Sequence, residues 1–249
     1  AMLIPFLVGI HIAFTDWNGV DVAYNNIGFS NFVSILKDAR IRKPFGNTLQ
    51  FALIGTIFSN FVSLSLALLI NSRFKKLNGI SRTIFFMPVC FSAVLTAFLW
   101  KFIYREFISG LFGIKNLLGN PDWVIFAIVV IGVWNTAGIN MLIYLSGLKS
   151  IPRELYEAAT VDGASEFKHF TKITLPLLMP AFSVCITLTI TSWLKEFATT
   201  LSATGGGPGG ASRTISIYVY ENLYKYYNAG YGQAVSMLFS VCLIIIGLS

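Results

Sequence analysis

The chain has 249 residues, of which 55% are hydrophobic and only 12% charged, with a mean hydropathy of +0.70. A water-soluble domain carries about 25% charged residues, so 18 basic and 11 acidic side chains cannot cover a surface of this size, and soluble, disordered, collagen-like and disulfide-scaffold classes are excluded. The net charge of +7 does not point to nucleic acid, because the bases lie at the ends of apolar runs and form no aromatic-interleaved patch.

The apolar residues come in long runs, which predicts an all-α membrane protein. Residues 1–15, 44–72, 83–100, 123–148, 173–194 and 226–249 contain no Asp, Glu, Lys or Arg. About 20 apolar residues span the hydrocarbon core, so five of these runs are long enough to cross. The first, 15 residues, reads as the outer part of a span that begins before Ala1, and the last ends in mid-run at Ser249. Six transmembrane helices are therefore expected, the first and last incomplete.

In chain order, the first span is followed by a polar connection over 16–43, with a short amphipathic segment at 32–36 placed on the bilayer surface. Span two is expected over 49–70, and its Gly55, Ser59 and Ser63, four apart, suit close helix packing. A loop with Arg73, Lys75, Lys76 and Arg82 leads to span three over 83–102, where Pro88 predicts a kink. Span four is expected over 123–145, span five over 176–194 and span six from 233 onward. Cys90, Cys185 and Cys242 fall inside spans as small packing residues, and His11 and His169 are isolated, so no metal-ligand spacing exists.

Loops 73–82 and 149–172 hold eight bases in 34 residues, against ten in the 81 residues of loops 16–43, 101–122 and 195–225. Bases concentrate in short cytoplasmic loops, which puts 73–82, 149–172 and both ends of the intact protein in the cytoplasm.

The 149–175 loop is no ordinary connector. Ser150 is expected as an N-cap, with Pro152 early in the first turn and Glu154 and Glu157 near the positive end of the dipole. The helix through Glu157, Ala158, Ala159 and Asp162 should stop at Gly163, in a left-handed turn. A second helix from Ser165 to about Lys172 should lead to Pro176 in the first turn of span five. Leu155, Val161, Phe167, Phe170 and Ile173 alternate with charges, so the pair is too polar for lipid. It either docks in a groove on a partner protein or caps its own bundle.

Glu157-Ala158-Ala159, Gly163, Ile173 and Leu175-Pro176 match the pattern E-A-A-x3-G-x9-I-x-L-P. This resembles the permease subunits of binding-protein-dependent ABC importers. Ile151 to Tyr156, Asp162-Gly163-Ala164 and Thr204-Gly205-Gly206-Gly207-Pro208 look like the carbohydrate branch, typified by the maltose importer. The resemblance runs from about Gly28 to the end. It implies a single permease domain over 1–249, in the cell (inner) membrane of a prokaryote and in contact with lipid. A second permease subunit would complete the translocation path as a heterodimer. Two ATPase subunits would hold ATP and Mg, an extracytoplasmic sugar-binding protein would deliver the substrate, and this chain would bind no cofactor of its own. Glu157, Ala158, Ala159, Asp162, Gly163, Ile173, Leu175 and Pro176 would form the ATPase-coupling loop, and the glycine loop at 205–210 would face outward.

The chain itself should not be an enzyme. No Gly-Lys dipeptide of a P-loop occurs among its 21 glycines, and the spans hold neither paired acids nor a nucleophile with its base. A channel would need a charged ring or carbonyl filter within a span, and a non-sugar importer of the same superfamily is the other alternative. Asn135, Asn140, Tyr144 and Trp193 are candidates for a substrate path, since sugars take hydroxyl hydrogen bonds and aromatic faces; interhelical bonding and an interfacial aromatic belt are the competing roles. Lys195 and Glu196 are either a snorkelling interface pair or path-lining.

Overall fold

The structure, a computed structural model, describes residues 3–72, 78–112 and 116–248. In chain order the helices are α1 (Leu3–Ala13), α2 (Ser30–Lys37), α3 (Arg42–Ser72), α4 (Asn78–Phe86), α5 (Ala93–Ile103), α6 (Ser109–Phe112), α7 (Val124–Ser150), α8 (Arg153–Val161), α9 (Glu166–His169), α10 (Leu175–Leu177), α11 (Met179–Leu194), α12 (Ala198–Thr204), α13 (Ile215–Tyr224) and α14 (Ala229–Leu248). Ala1, Met2, Arg73, Lys75, Lys76, Lys115 and Ser249 lie outside the described residues.

Three helices are long and apolar enough to cross a bilayer as single rods: 39–71, including α3, then α7 and α14. Two further spans are broken. Gly79–Cys90 and Ala93–Ile108 meet at 103°, and Glu166–Leu177 and Met179–Leu194 at 64°. α1 is apolar but has only 11 residues. Among the described residues the count is thus three straight spans and up to five when each bent pair is one span, with α1 as a shorter apolar helix.

α7 is the centre of the bundle. Two-thirds of its apolar window is buried, against one-third for α3 and α14, as expected for a helix apolar on all sides. It packs against α3 and α11 through Ile128, Ile131 and Val133, together with Phe51, Trp193 and Leu194. A second cluster joins Ile70, Met141, Tyr144, Leu148 and Leu178 at the opposite end.

Pro88 does mark a kink, but the bend is far larger than one proline produces. Met87–Cys90 form a 3₁₀ turn, Phe91 is extended, and Ser92 restarts the helix by accepting a hydrogen bond from the Leu95 N–H at 3.2 Å. The break frees backbone carbonyls, which must find donors away from water. Asn135 of α7 supplies them: its Nδ2 donates to the Pro88 carbonyl (2.8 Å), the Phe91 carbonyl (3.3 Å) and Thr96 Oγ1 (3.2 Å). One turn on, Gly138 admits the α4 backbone, since a Cβ there would lie 2.5 Å from the Phe85 carbonyl oxygen.

Lys43, Asn47 and Lys101 all bond to the 202–213 segment. Lys43 Nζ donates to the Gly209 carbonyl, Asn47 Nδ2 to the carbonyls of Gly210 and Arg213, and Lys101 Nζ to that of Ser202. The expected loop over 195–225 is largely helical, forming α12 and α13. The glycine turn between them keeps Gly205 and Gly206 at positive φ, where a side chain would be strained. The amphipathic segment is helix α2, held by Asn31, whose Nδ2 donates to the Ala13 and Thr15 carbonyls at 2.9 Å each.

Asp38, just after α2, ties this end to α13 and α14 by accepting from Tyr218 and Tyr231, both at 2.9 Å. The bonded Arg40 guanidinium holds its carboxyl well below the usual carboxylate range, against the opposing effect of burial. A lowered carboxylate stabilises the fold above its unfolded pKa and loses that contribution as pH falls toward the folded value. The tie therefore persists through the neutral range.

Candidate functional site

The loop singled out by its motif stands off the bundle. α7 runs through Ser150, so Ser150 ends that helix and caps nothing ahead. α8 starts at Arg153 with Pro152 in the N-cap position, because proline there lacks only an N–H that the first turn leaves free. Gly163 is left-handed at φ +73°, and the Gly163 and Ala164 N–H groups bond back to the carbonyls of Thr160 and Ala159. Ser165 caps α9, accepting from the Lys168 N–H at 3.4 Å.

Beyond α9 the expected start of span five is corrected. Residues 170–174 form a π turn that contains Ile173, and Leu175 and Pro176 sit in α10 ahead of the 64° bend at Leu178. Pro176 is in the first turn of α10, as expected, but a bend separates it from the straight helix α11 that begins at Met179.

No residue of α8 is buried. Leu155 is 43% exposed, Val161 88% and Phe167 74%. Glu157, Ala158, Asp162 and Gly163 are exposed, and Ala159 is half-buried. A hairpin capping its own bundle would cover its apolar side chains. Tyr156 ties this one to the bundle: its hydroxyl pairs with Thr174 Oγ1 at 2.9 Å, and its ring meets His169 edge-on. Leu155, Ala158 and Val161 lie three apart on one uncovered face.

A second feature is a half-open cavity of about 570 Å³ between α7, α11 and the start of α12, with exposed Ile139 and Leu188 on its wall. Asn135, Asn140 and Trp193 all border it, along with Thr136, Ser192 and Glu196. Lys195 is on the same wall, so both members of the Lys195–Glu196 pair face this space. Glu196 Oε1 accepts from the Thr200 N–H (3.0 Å) and Oγ1 (3.3 Å), which fixes the carboxylate at the head of α12. Thr136 and Ser192 carried no distinguishing signal in the sequence, since hydroxyl residues are common in membrane helices.

The four path candidates have different roles in the structure. Asn135 spends its amide on the broken span, and Asn140 is buried at the cavity edge. Tyr144 is not on the cavity wall: it is fully buried and its hydroxyl donates to Asn60 Oδ1 at 2.6 Å. Trp193 borders the cavity but is only 5% exposed. Its ring stacks on Phe51 at 6° between planes, and Nε1 donates to Ser59 Oγ at 3.0 Å. A Cβ at Gly55 of α3 or Gly132 of α7 would lie 2.3 or 2.4 Å from a ring carbon, so the two glycines form a slot for it.

Residues 59–249 match the family described as "Binding-protein-dependent transport system inner membrane component". The chain is 30% identical over 251 residues to the probable starch degradation products transport system permease protein AmyD of Thermoanaerobacterium thermosulfurigenes, covering 98% of this chain and 85% of that one. It is 35% identical over 220 residues to the trehalose/maltose transport system permease protein MalF of Thermococcus litoralis, covering 85% and 74%. A chain in the crystal structure of a bacterial ABC transporter involved in the import of the acidic polysaccharide alginate shares the fold. Its TM-score is 0.80 at 24% identity, covering 99% of this chain and 87% of that one. An exposed motif helix, broken spans beside a cavity with amide and hydroxyl side chains on its wall, and this match over most of the length agree: the chain belongs to the family of inner-membrane components of binding-protein-dependent transport systems, and is a multi-pass permease subunit rather than an enzyme.

Proposed function

We propose that this permease forms half of the translocation path of an ATP-driven sugar importer. It pairs with a second permease subunit, with two ATPase subunits that hold ATP and Mg, and with an extracytoplasmic sugar-binding protein. The reading rests on the uncovered apolar face of α8, a surface that needs a partner. Relatives named for starch products and for trehalose and maltose support the sugar class.

In this account Glu157 to Gly163 dock on the ATPase. Movement of α8 is passed by the Tyr156–Thr174 bond to the 170–177 segment, and by Leu178, seated against Gly147 of α7, into α11. α11 carries Thr189, Ser192 and Trp193 on the cavity wall, so ATPase closure reshapes the space where the sugar rests. Asn140 supplies an amide group to hydroxyls there and Asn135 only its Oδ1 as an acceptor, since its Nδ2 is held by the broken span, and a volume of about 570 Å³ is within the ordinary range of ligand sites.

The test is uptake by proteoliposomes containing the whole assembly, with a panel of maltose, trehalose and an arabinose oligosaccharide, each offered with its binding protein. Uptake of at least one sugar that needs ATP supports the reading. Uptake of none, or leakage through the permease alone, refutes it.

Orientation follows from the same account: the 149–175 loop is cytoplasmic, as are both ends of the intact protein, and loops 16–43 and 195–225 are outside. A cysteine at exposed Ser165 should react with an impermeant reagent only from the cytoplasmic face, and one at Val22, 98% exposed, only from outside. Labelling of both from one face would overturn the topology.

A further inference from the structure

We propose that Phe197, Tyr220 and Tyr224 form an aromatic stair that hands a sugar between the outer face and the central cavity. The inference rests on the sugar-importer reading. Phe197 borders the central cavity, and it also borders a second recess of about 270 Å³. The two spaces thus share one ring. From Phe197 the ring of Tyr220 is 5.4 Å away, and that of Tyr224 a further 5.2 Å, tilted by 58° and 45° in turn.

The spacing in sequence produces this line. Ser216, Tyr220 and Tyr224 are four apart on α13, so they occupy one helical face. The helix also points the right way. Thr214, its N-cap, donates from Oγ1 to the Glu196 carbonyl at the cavity rim, and near the other end the Leu223 carbonyl lies against Gly19 of the outer connection. Exposure rises along it, from half-buried Phe197 to Tyr220 at 39% and Tyr224 at 68%.

The lining chemistry selects the occupant. A sugar ring offers C–H faces with hydroxyls around its rim, and it fits a site that combines aromatic faces with hydrogen-bonding hydroxyls. The recess supplies Tyr220, Tyr224, Ser216 from α13 and Ser236 from α14, with no charged side chain. None of these four hydroxyls has a side-chain hydrogen bond among the described residues, so their bonding capacity is unspent. Passage needs several weak stations rather than one tight site, and rings at 5.2–5.4 Å intervals provide them.

The experiment measures binding-protein-dependent uptake by the full transporter, using whichever of maltose, trehalose or the arabinose oligosaccharide the unaltered protein moves. Tyr220→Ala and Tyr224→Ala should each reduce uptake by about tenfold, a loss on the scale of one aromatic contact. Tyr220→Phe keeps the ring and should retain most of the rate. Tyr226→Ala removes an exposed ring outside the recess and should leave it unchanged. Second-permease copurification and basal ATP hydrolysis should be normal in all four. Full uptake in the Tyr220→Ala, Tyr224→Ala double variant would overturn the stair while leaving the importer reading intact. Loss of the second permease in Tyr220→Ala would also overturn it, showing that the recess is a subunit interface. Failure of the unaltered transporter on every sugar in the panel would instead refute the sugar reading itself.

Discussion

Ala158→Asp should detach the ATPase, or abolish its stimulation by loaded binding protein, while the permease reaches the membrane in normal amounts. Ala158 is exposed in the subunit and shares a face with Leu155 and Val161. Its small side chain lets a partner backbone come close. A carboxylate buried there without a counter-charge costs several kcal/mol, roughly, and about 1.4 kcal/mol is tenfold in affinity. The control is Lys168→Ala on α9, an exposed charge whose removal should matter little. Copurification of the ATPase with each variant reads the result. Equal loss in both, with low membrane levels, would indicate misfolding instead of lost docking.

The second large effect lies in the slot around Trp193. Truncation to alanine removes a ring that stacks on Phe51, bonds Ser59 and fills the space opposite Gly55 and Gly132. Large-to-small changes of this kind cost about 3–5 kcal/mol in protein cores. In a bilayer, helix association depends on such close packing more than on hydrophobic transfer. Trp193→Ala should therefore lower the unfolding temperature of the detergent-solubilised permease sharply. Gly55→Ala is the finer probe. The ring is also packed against Gly132 and Phe51, so it has little room to move away and one methyl group should also destabilise. Adding Trp193→Leu to Gly55→Ala should recover part of the loss. A neutral Gly55→Ala would show that the slot is loose.

The parts of the fold that could be read in the sequence are those that composition alone determines. Uninterrupted apolar runs located α3, α7 and α14, since a helix of about 20 such residues has no soluble alternative. The broken spans were not legible in the same way. Pro88 announced a disturbance, but the 103° turn is held by Asn135 and Gly138, some fifty residues later: the first donates to the freed carbonyls and the second leaves room for the approaching backbone. α13 was hidden because Glu221 and its tyrosines read as a polar loop, whereas the Glu221 carboxylate is buried between Arg213 and Lys225.

The candidate site divides along the same line. The motif of α8 is local, so its turn at Gly163 and its amphipathic face followed from spacing. The path candidates depend on which way each helix is rotated. Asn140 and Tyr144, one turn apart, look alike in sequence; one borders the cavity and the other is sealed against Asn60.

A photo-reactive amino acid at Leu155 tests the central claim most directly, because that position is on the uncovered face and contacts whatever the face is built to meet. In membranes containing the assembled transporter, irradiation should give one principal adduct, between this permease and the ATPase subunit. Adducts confined to the permease itself, with the ATPase present and bound, would contradict the account.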